Sequence, residues 1–237
     1  MASASCGFDE PARFEAAALV CVRGGRTVFQ GLGFALEAGG ALLLHGPNGT
    51  GKSSLLRILA GLLRPAGGRL LWNGAGVRED TEAHRARLHY VGHLDALKPL
   101  MTPRETLGFF AAMRGHAAGP EAALGRLGIA DLMEVPGRYL SAGQKRRVAL
   151  ARLVASPARL WLLDEPTVTL DVEATARLEA MMAEHRAAGG MVIVATHTGI
   201  ALDGAERLDL SRYGPARVQP GAPLSAMPVG SFEDESW

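Results

Sequence analysis

The run Gly46-Pro47-Asn48-Gly49-Thr50-Gly51-Lys52-Ser53 matches G-x-x-x-x-G-K-[ST], a spacing built to hold phosphate groups. Its glycines let a loop wrap closely around phosphate oxygens. The helix that follows, predicted over 54–63 from Ser54 onward, opens with unpaired N–H donors and the positive end of its dipole. Lys52, one of only three lysines in the chain, adds a charge for the β and γ phosphates, and the Ser53 hydroxyl suits a hard Mg²⁺ ion. About 110 residues on, the apolar run 159–163 ends in Asp164-Glu165-Pro166. A carboxylate at such a strand tip can hold Mg²⁺ through water beside the loop hydroxyl, and the next one can reach the water that attacks the γ phosphate. Asp164 is assigned to the metal and Glu165 to the base.

Elements must bring these residues together. Strand-sized runs at 16–22, 41–45, 69–72, 88–92, 160–164, 191–196 and 207–210 alternate with helix-length segments, which predicts an α/β fold with a parallel sheet covered by helices. Several runs are continuously apolar, as strands buried on both faces are. Between residues 102 and 156 the strand signal gives way to helical pattern, starting at Thr102-Pro103 and continuing through Leu107, Phe109, Phe110 and Met113. The expected division is an N-terminal extension over 1–15, a P-loop core from 16–101 and 157–213, an inserted helical subdomain over 102–156, and a flexible Pro-, Gly- and Ser-rich tail over 214–237.

Between the two phosphate-site elements lies Leu140-Ser141-Ala142-Gly143-Gln144, followed by a helix predicted over 145–155. By itself, Ser141 could be a simple helix N-cap. Placed between the two nucleotide motifs, the segment resembles the signature of the ATP-binding cassette (ABC) family. The resemblance spans about 16–205 and implies a P-loop NTPase fold of the ABC nucleotide-binding type, with ATP and Mg²⁺ as ligands. It further implies that Ser141, Gly143 and Gln144 form a second anion site over the ATP of a facing copy, so that two chains sandwich two ATP molecules. By the same resemblance His197, at the end of the run 191–196, contacts the γ phosphate, and Asp171 lies across the dimer seam.

Within the family, Gly92-His93, the Ala142 variant of the signature, the run 144–153, the run 160–166 and the run 189–194 resemble the ATP-binding subunits of haem exporters for cytochrome c maturation. That resemblance implies an ATPase coupled to transport, held at the cytoplasmic face of the inner membrane by transmembrane subunits. His93 stands where the family usually has Gln, and imidazole is a poorer Mg²⁺ partner than an amide oxygen, so a water-mediated contact is expected. His84, His89 and His93 suggest a haem ligand set, since His89 and His93 are spaced to share a face, but a strand end beside the nucleotide leaves little room for a porphyrin. Arg23 occupies the place of the adenine-stacking aromatic, where a guanidinium plane can stack instead. Lys145, Arg146, Arg147 and Arg152 read as a solvated or interdomain face.

Composition bounds the remaining choices. With 25 Lys plus Arg against 24 Asp plus Glu, the net charge is +1, which gives no electrostatic footprint for a nucleic-acid partner. Cys6 and Cys21 are too few for a disulfide scaffold and favour a reducing compartment. No apolar run reaches the roughly 18 residues of a spanning helix, and 1–10 shows no secretion signal. The rival expectations are a soluble ABC-type ATPase acting on nucleic acid or ribosomes, and an ABC transporter subunit for another substrate.

Overall fold

The structure, a computed structural model, describes residues 8, 10–115, 119–197 and 199–214 of the 237. A parallel sheet of five strands forms its centre, in the order β6 (Leu88–Val91), β7 (Leu160–Asp164), β8 (Met191–Ala195), β3 (Ala41–His45), β9 (Glu206–Asp209). Both its faces are covered, which is why β3, β7 and β8 are continuously apolar. Alternate side chains part to opposite sides: Leu160, Leu162, Met191 and Ile193 join one core, while Trp161, Leu163, Val192 and Val194 join the other.

The first core is closed by a second sheet, antiparallel, in the order β2 (Arg26–Glu37), β1 (Arg13–Arg23), β4 (Gly67–Trp72), β5 (Ala75–Gly76). This corrects the sequence expectation in two respects. The runs at 16–22 and 69–72 belong to this antiparallel sheet rather than to the parallel one, and β2 was not foreseen at all. The β1–β2 pair turns through Gly24 and Gly25, both with positive φ (53° and 72°), with Arg23 opposite Arg26; two residues with φ > 0 make the primed turn whose twist suits a hairpin. β1 starts at Arg13, so residues 13–15 of the expected N-terminal extension are strand.

The second core packs beneath α3 (Pro103–Ala112), α4 (Pro120–Arg126), α5 (Ala142–Ala155) and α6 (Val172–Ala187). α1 (Lys52–Leu59), with Leu55, Leu56 and Ile58 buried, belongs to the first core, and α2 (Thr81–Ala86) precedes β6. α3 begins with a reciprocal cap: the Thr102 hydroxyl accepts from the Glu105 N–H (3.2 Å), and the Glu105 carboxylate accepts from the Thr102 N–H (2.9 Å). Among the described residues no helix is long and apolar enough to cross a membrane. The expected flexible tail lies outside the described residues beyond Gly214.

Candidate active site

Four strands of the parallel sheet discharge their loops at one edge, the usual place for a ligand in such folds. β3 leads into the loop ending at Gly51, the N-cap of α1. Gly51 has φ 98°, and a Cβ there would meet Val28 Cγ1 at 2.5 Å, so only glycine allows the close turn. No side chain caps α1 and its first turn holds no acidic residue, leaving its leading N–H groups and positive dipole end to an anion. Lys52 is 8% exposed, and its ammonium donates to Gly46 O (2.6 Å) and Pro47 O (3.3 Å). The Thr50 hydroxyl also donates to Pro47 O (2.9 Å).

Asp164 ends β7. Its Oδ1 accepts from the Ser53 hydroxyl at 3.1 Å, closing a contact across 111 residues, while its Oδ2 is buried with no hydrogen-bond partner among the described residues. Burial pushes the Asp164 carboxyl above its ordinary range, opposed by the Ser53 bond and reinforced by the Glu165 charge. A hydroxyl beside an orphaned, buried carboxylate oxygen is an oxygen donor set that fits a hard divalent cation.

Glu165 has the left-handed φ of 48°, uncommon for a residue with a Cβ. Its N–H donates to Ala195 O (2.7 Å), a consequence of the β7–β8 register that pairs Asp164 with Ala195. The same register brings His197 alongside. His197 Nδ1 lies 2.9 Å from Glu165 Oε1, and the His197 N–H donates to Oε2 at 3.3 Å.

Asn48, Gly49, Gly51, Lys52, Ser53, Ser54, His93, Asp164, Glu165 and His197 line one cleft of about 550 Å³, together with Arg23 and Val28. An adjoining cleft of about 900 Å³ takes Pro47 and Thr50 and carries Arg23, Arg26 and Arg212. Arg23 thus lines both hollows. Gly46 contributes through its carbonyl bond to Lys52.

Ser141, Gly143, Gln144 and Asp171 do not line this cleft. Ser141 is the N-cap of α5: its hydroxyl accepts from the Gln144 N–H (3.2 Å), and the Gln144 amide oxygen accepts from the Ser141 N–H (2.8 Å). A Cβ on Gly143 would stand 2.6 Å from Thr169 O, so the segment after Glu165 packs directly on the start of α5. Asp171 caps α6, accepting from the Ala174 N–H (2.7 Å), and its other oxygen lies 3.8 Å from Arg147. Ser141 and Asp171 are both exposed.

The pattern that defines the ABC transporter family matches residues 29–168. This chain belongs to that family. The cytochrome c biogenesis ATP-binding export protein CcmA of Paramagnetospirillum magneticum is 58% identical to it over 212 residues, covering 87% of this chain and 98% of that protein. The protein of the same name from Rhodospirillum rubrum is 57% identical over 213 residues, covering 89% and 91%. A solved structure from Pyrococcus furiosus, described as an ABC transporter ATP-binding protein, matches with TM-score 0.75 at 23% identity, covering 86% of this chain and all of that one; it shows the fold. A solved ATP-binding subunit of an ABC transporter matches at TM-score 0.71 and 25% identity, covering 78% and 79%. The chain is accordingly an ABC-type ATPase coupled to transport.

The structure also decides between readings of this ABC ATPase that the sequence left open. Of the solvated and interdomain readings of the basic stretch of α5, Arg146 and Arg152 take the second: Arg146 is 3% exposed and bonds to Gly92 O and Asp164 O, and Arg152 is half-buried, with Nη2 donating to Tyr90 O (3.3 Å) and its guanidinium over the Phe110 ring. A signal existed in the helical spacing, because Ala149, Leu150 and Leu153 form a buried stripe that continues back one turn to Arg146. His84, His89 and His93, set aside above as a haem ligand set, do not converge. His84 and His89 are buried with Nε2 against Leu59 O (2.8 Å) and Ser156 O (2.7 Å), whereas His93 is exposed beyond the end of β6. Among the described residues no three His, Cys, Asp or Glu side chains gather as a metal cluster.

Proposed function

We propose that this chain is the ATP-hydrolysing subunit of the haem exporter used in cytochrome c maturation, working as a pair of copies on transmembrane subunits at the cytoplasmic face of the inner membrane. The transport half of this reading is supported by relatives, 57% and 58% identical, that are named for cytochrome c biogenesis and export. The observation that carries the hydrolytic half is the gathering of Lys52, Ser53, Asp164, Glu165 and His197 in one cleft.

When a triphosphate enters, the Lys52 ammonium exchanges the carbonyls of Gly46 and Pro47 for phosphate oxygens, and the leading N–H groups of α1 take further negative charge. Ser53 and Asp164 would hold Mg²⁺, which when bound neutralises phosphate charge. Glu165 accepts a proton from the attacking water. His197 holds that carboxylate through both oxygens and supports the γ phosphate. His93, on the rim of the same cleft, stands where it can reach the site through water.

The exposed Ser141, with Gly143 and Gln144, completes the pocket of the facing copy, and Asp171 sits at the seam between them. Closure over two ATP molecules then drives a change in the membrane partners. The near-neutral chain needs no nucleic acid for this.

Affinity purification of the full chain from membranes, followed by identification of the bound proteins and a Mg²⁺-dependent ATPase assay, tests the reading. Haem-handling membrane subunits and hydrolysis abolished by Glu165→Gln are expected. Salt-sensitive nucleic acid or ribosomes in place of membrane proteins would overturn the transport assignment, and equal phosphate release by wild type and E165Q would overturn the mechanism.

A further inference from the structure

Arg146 is a buried cation whose whole hydrogen-bonding capacity is directed at four backbone carbonyls and one carboxylate around the active site. A guanidinium has five N–H donors in a fixed plane, and here each has an acceptor. On one edge, Nε donates to Pro166 O (3.2 Å) and Nη2 to Asp164 O and Glu165 O (both 2.8 Å). On the other, Nη1 donates to Gly92 O (2.7 Å) and Asp95 Oδ1 (3.0 Å). Three consecutive carbonyls at the tip of β7 are thus held by one side chain, and the middle one belongs to the residue with the left-handed φ of 48°. A backbone in that region persists only when its surroundings over-determine it. Arg146 supplies that determination, in the second turn of the helix that begins at Ser141.

The opposite edge binds the loop that carries His93, the residue that shares the cleft with Asp164 and Glu165. One planar group therefore joins the start of α5, the backbone beneath Glu165 and the loop of His93. We propose that Arg146 is a positioning residue for hydrolysis, fixing the carboxylate of Glu165 for water activation and tying its geometry to the start of α5 and to the His93 loop. The inference rests on the reading of Glu165 as the base. It makes no claim on nucleotide affinity, because Arg146 does not line the cleft.

Lysine cannot reproduce this arrangement, since a point ammonium with three donors cannot reach both edges at once. The test compares wild type, R146K, R146Q and E165Q as full chains with the membrane subunits that copurify, measuring kcat for ATP, the Kd for a fluorescent ATP analogue with Mg²⁺, and the melting temperature. Small misplacement of a reacting group is costly, so both Arg146 variants are expected to lose about tenfold to a hundredfold in kcat while Kd stays at the wild-type value. An unchanged kcat in both, or a loss of affinity that accounts for the loss of rate, overturns the proposal. Should both variants fail to fold, D95A keeps Arg146 in place and removes one anchor of its second edge. A lowered kcat at unchanged Kd is then expected, and an unchanged kcat overturns the proposal. E165Q separates the two claims. If it hydrolyses ATP like wild type, the base assignment fails and Arg146 loses its role with it; if E165Q alone is impaired, only the Arg146 proposal fails.

Discussion

His197 grips both oxygens of the Glu165 carboxylate, one through Nδ1 at 2.9 Å and the other through its backbone N–H at 3.3 Å. The two contacts differ in what a mutation can remove. His197→Ala deletes the ring contact and leaves the backbone one, so Glu165 loses half of its orientation and the γ phosphate loses its imidazole. Turnover should fall by about a hundredfold, the scale of a displaced general base, with ATP affinity near wild type. Steady-state kinetics beside a nucleotide-binding titration checks this, and parallel loss of both quantities would place His197 in binding instead.

Asp164→Asn tests the oxygen that has no partner. An amide can still accept the Ser53 bond at the Oδ1 position, but it replaces the buried Oδ2 by a neutral donor, which cannot serve a divalent cation. The Mg²⁺ concentration giving half-maximal hydrolysis should rise at least about tenfold, and kcat should drop at saturating metal. Magnesium titrations of the two proteins make the comparison.

Gly143→Ala introduces a Cβ that would stand 2.6 Å from Thr169 O. The segment behind Glu165 must then move away from the start of α5, at a stability cost of about 1–3 kcal/mol. Hydrolysis should fall while the isolated chain still binds ATP, because its own phosphate loop is untouched. Denaturant melts and ATPase rates measure the two effects separately.

Acid should weaken this fold through buried histidines. Burial, helped by the charge of Arg114, lowers His89 to about 3, and burial lowers His185 to about 4. Both are neutral in the folded protein at a pH where an unfolded histidine, with a pKa near 6.5, begins to bind a proton. Their contribution is therefore complete above about pH 6.5 and is lost as pH falls toward 4 and then 3, at about 1.4 kcal/mol per pH unit for each group. Urea melts between pH 8 and pH 4.5 should show this decline, and the double substitution His89→Gln, His185→Gln should flatten it.

The grouping of Lys52, Ser53, Asp164 and Glu165 in one cleft was legible from sequence because each half of it is local. A strand, a glycine loop and a helix start are contiguous over 41–59, and Asp164-Glu165 ends an apolar run that gains its meaning from that phosphate loop. Sheet partnership is not local in that way. The run at 16–22 looks like the parallel strands, and only its pairing with β2 and β4 makes it antiparallel. β2 was hidden because Gly31 and Gly33 interrupt its pattern and shifts break its register with β1, although Gly24-Gly25 offered a hairpin signal. A Lys-Arg-Arg run suggests a wet surface, which leaves Arg146 between a solvated and an interdomain reading. The buried spacing along α5 points inward, but the acceptors of Arg146 lie on two other segments, at Gly92 and Asp95 and at 164–166, which no spacing along α5 could name.

The central claim is that the phosphate cleft of one copy needs the Ser141 segment of another. Lys52→Ala removes the phosphate grip but keeps the signature, and Ser141→Arg blocks the signature but keeps the grip. Coexpression of the two variants in one complex, with ATP hydrolysis measured against each alone, is the most direct measurement. The account predicts that each variant alone is nearly silent and that the mixed complex regains activity, because it contains one pocket with both intact halves. Wild-type turnover by Ser141→Arg alone, or no recovery in a mixed complex that is shown to contain both chains, would contradict it.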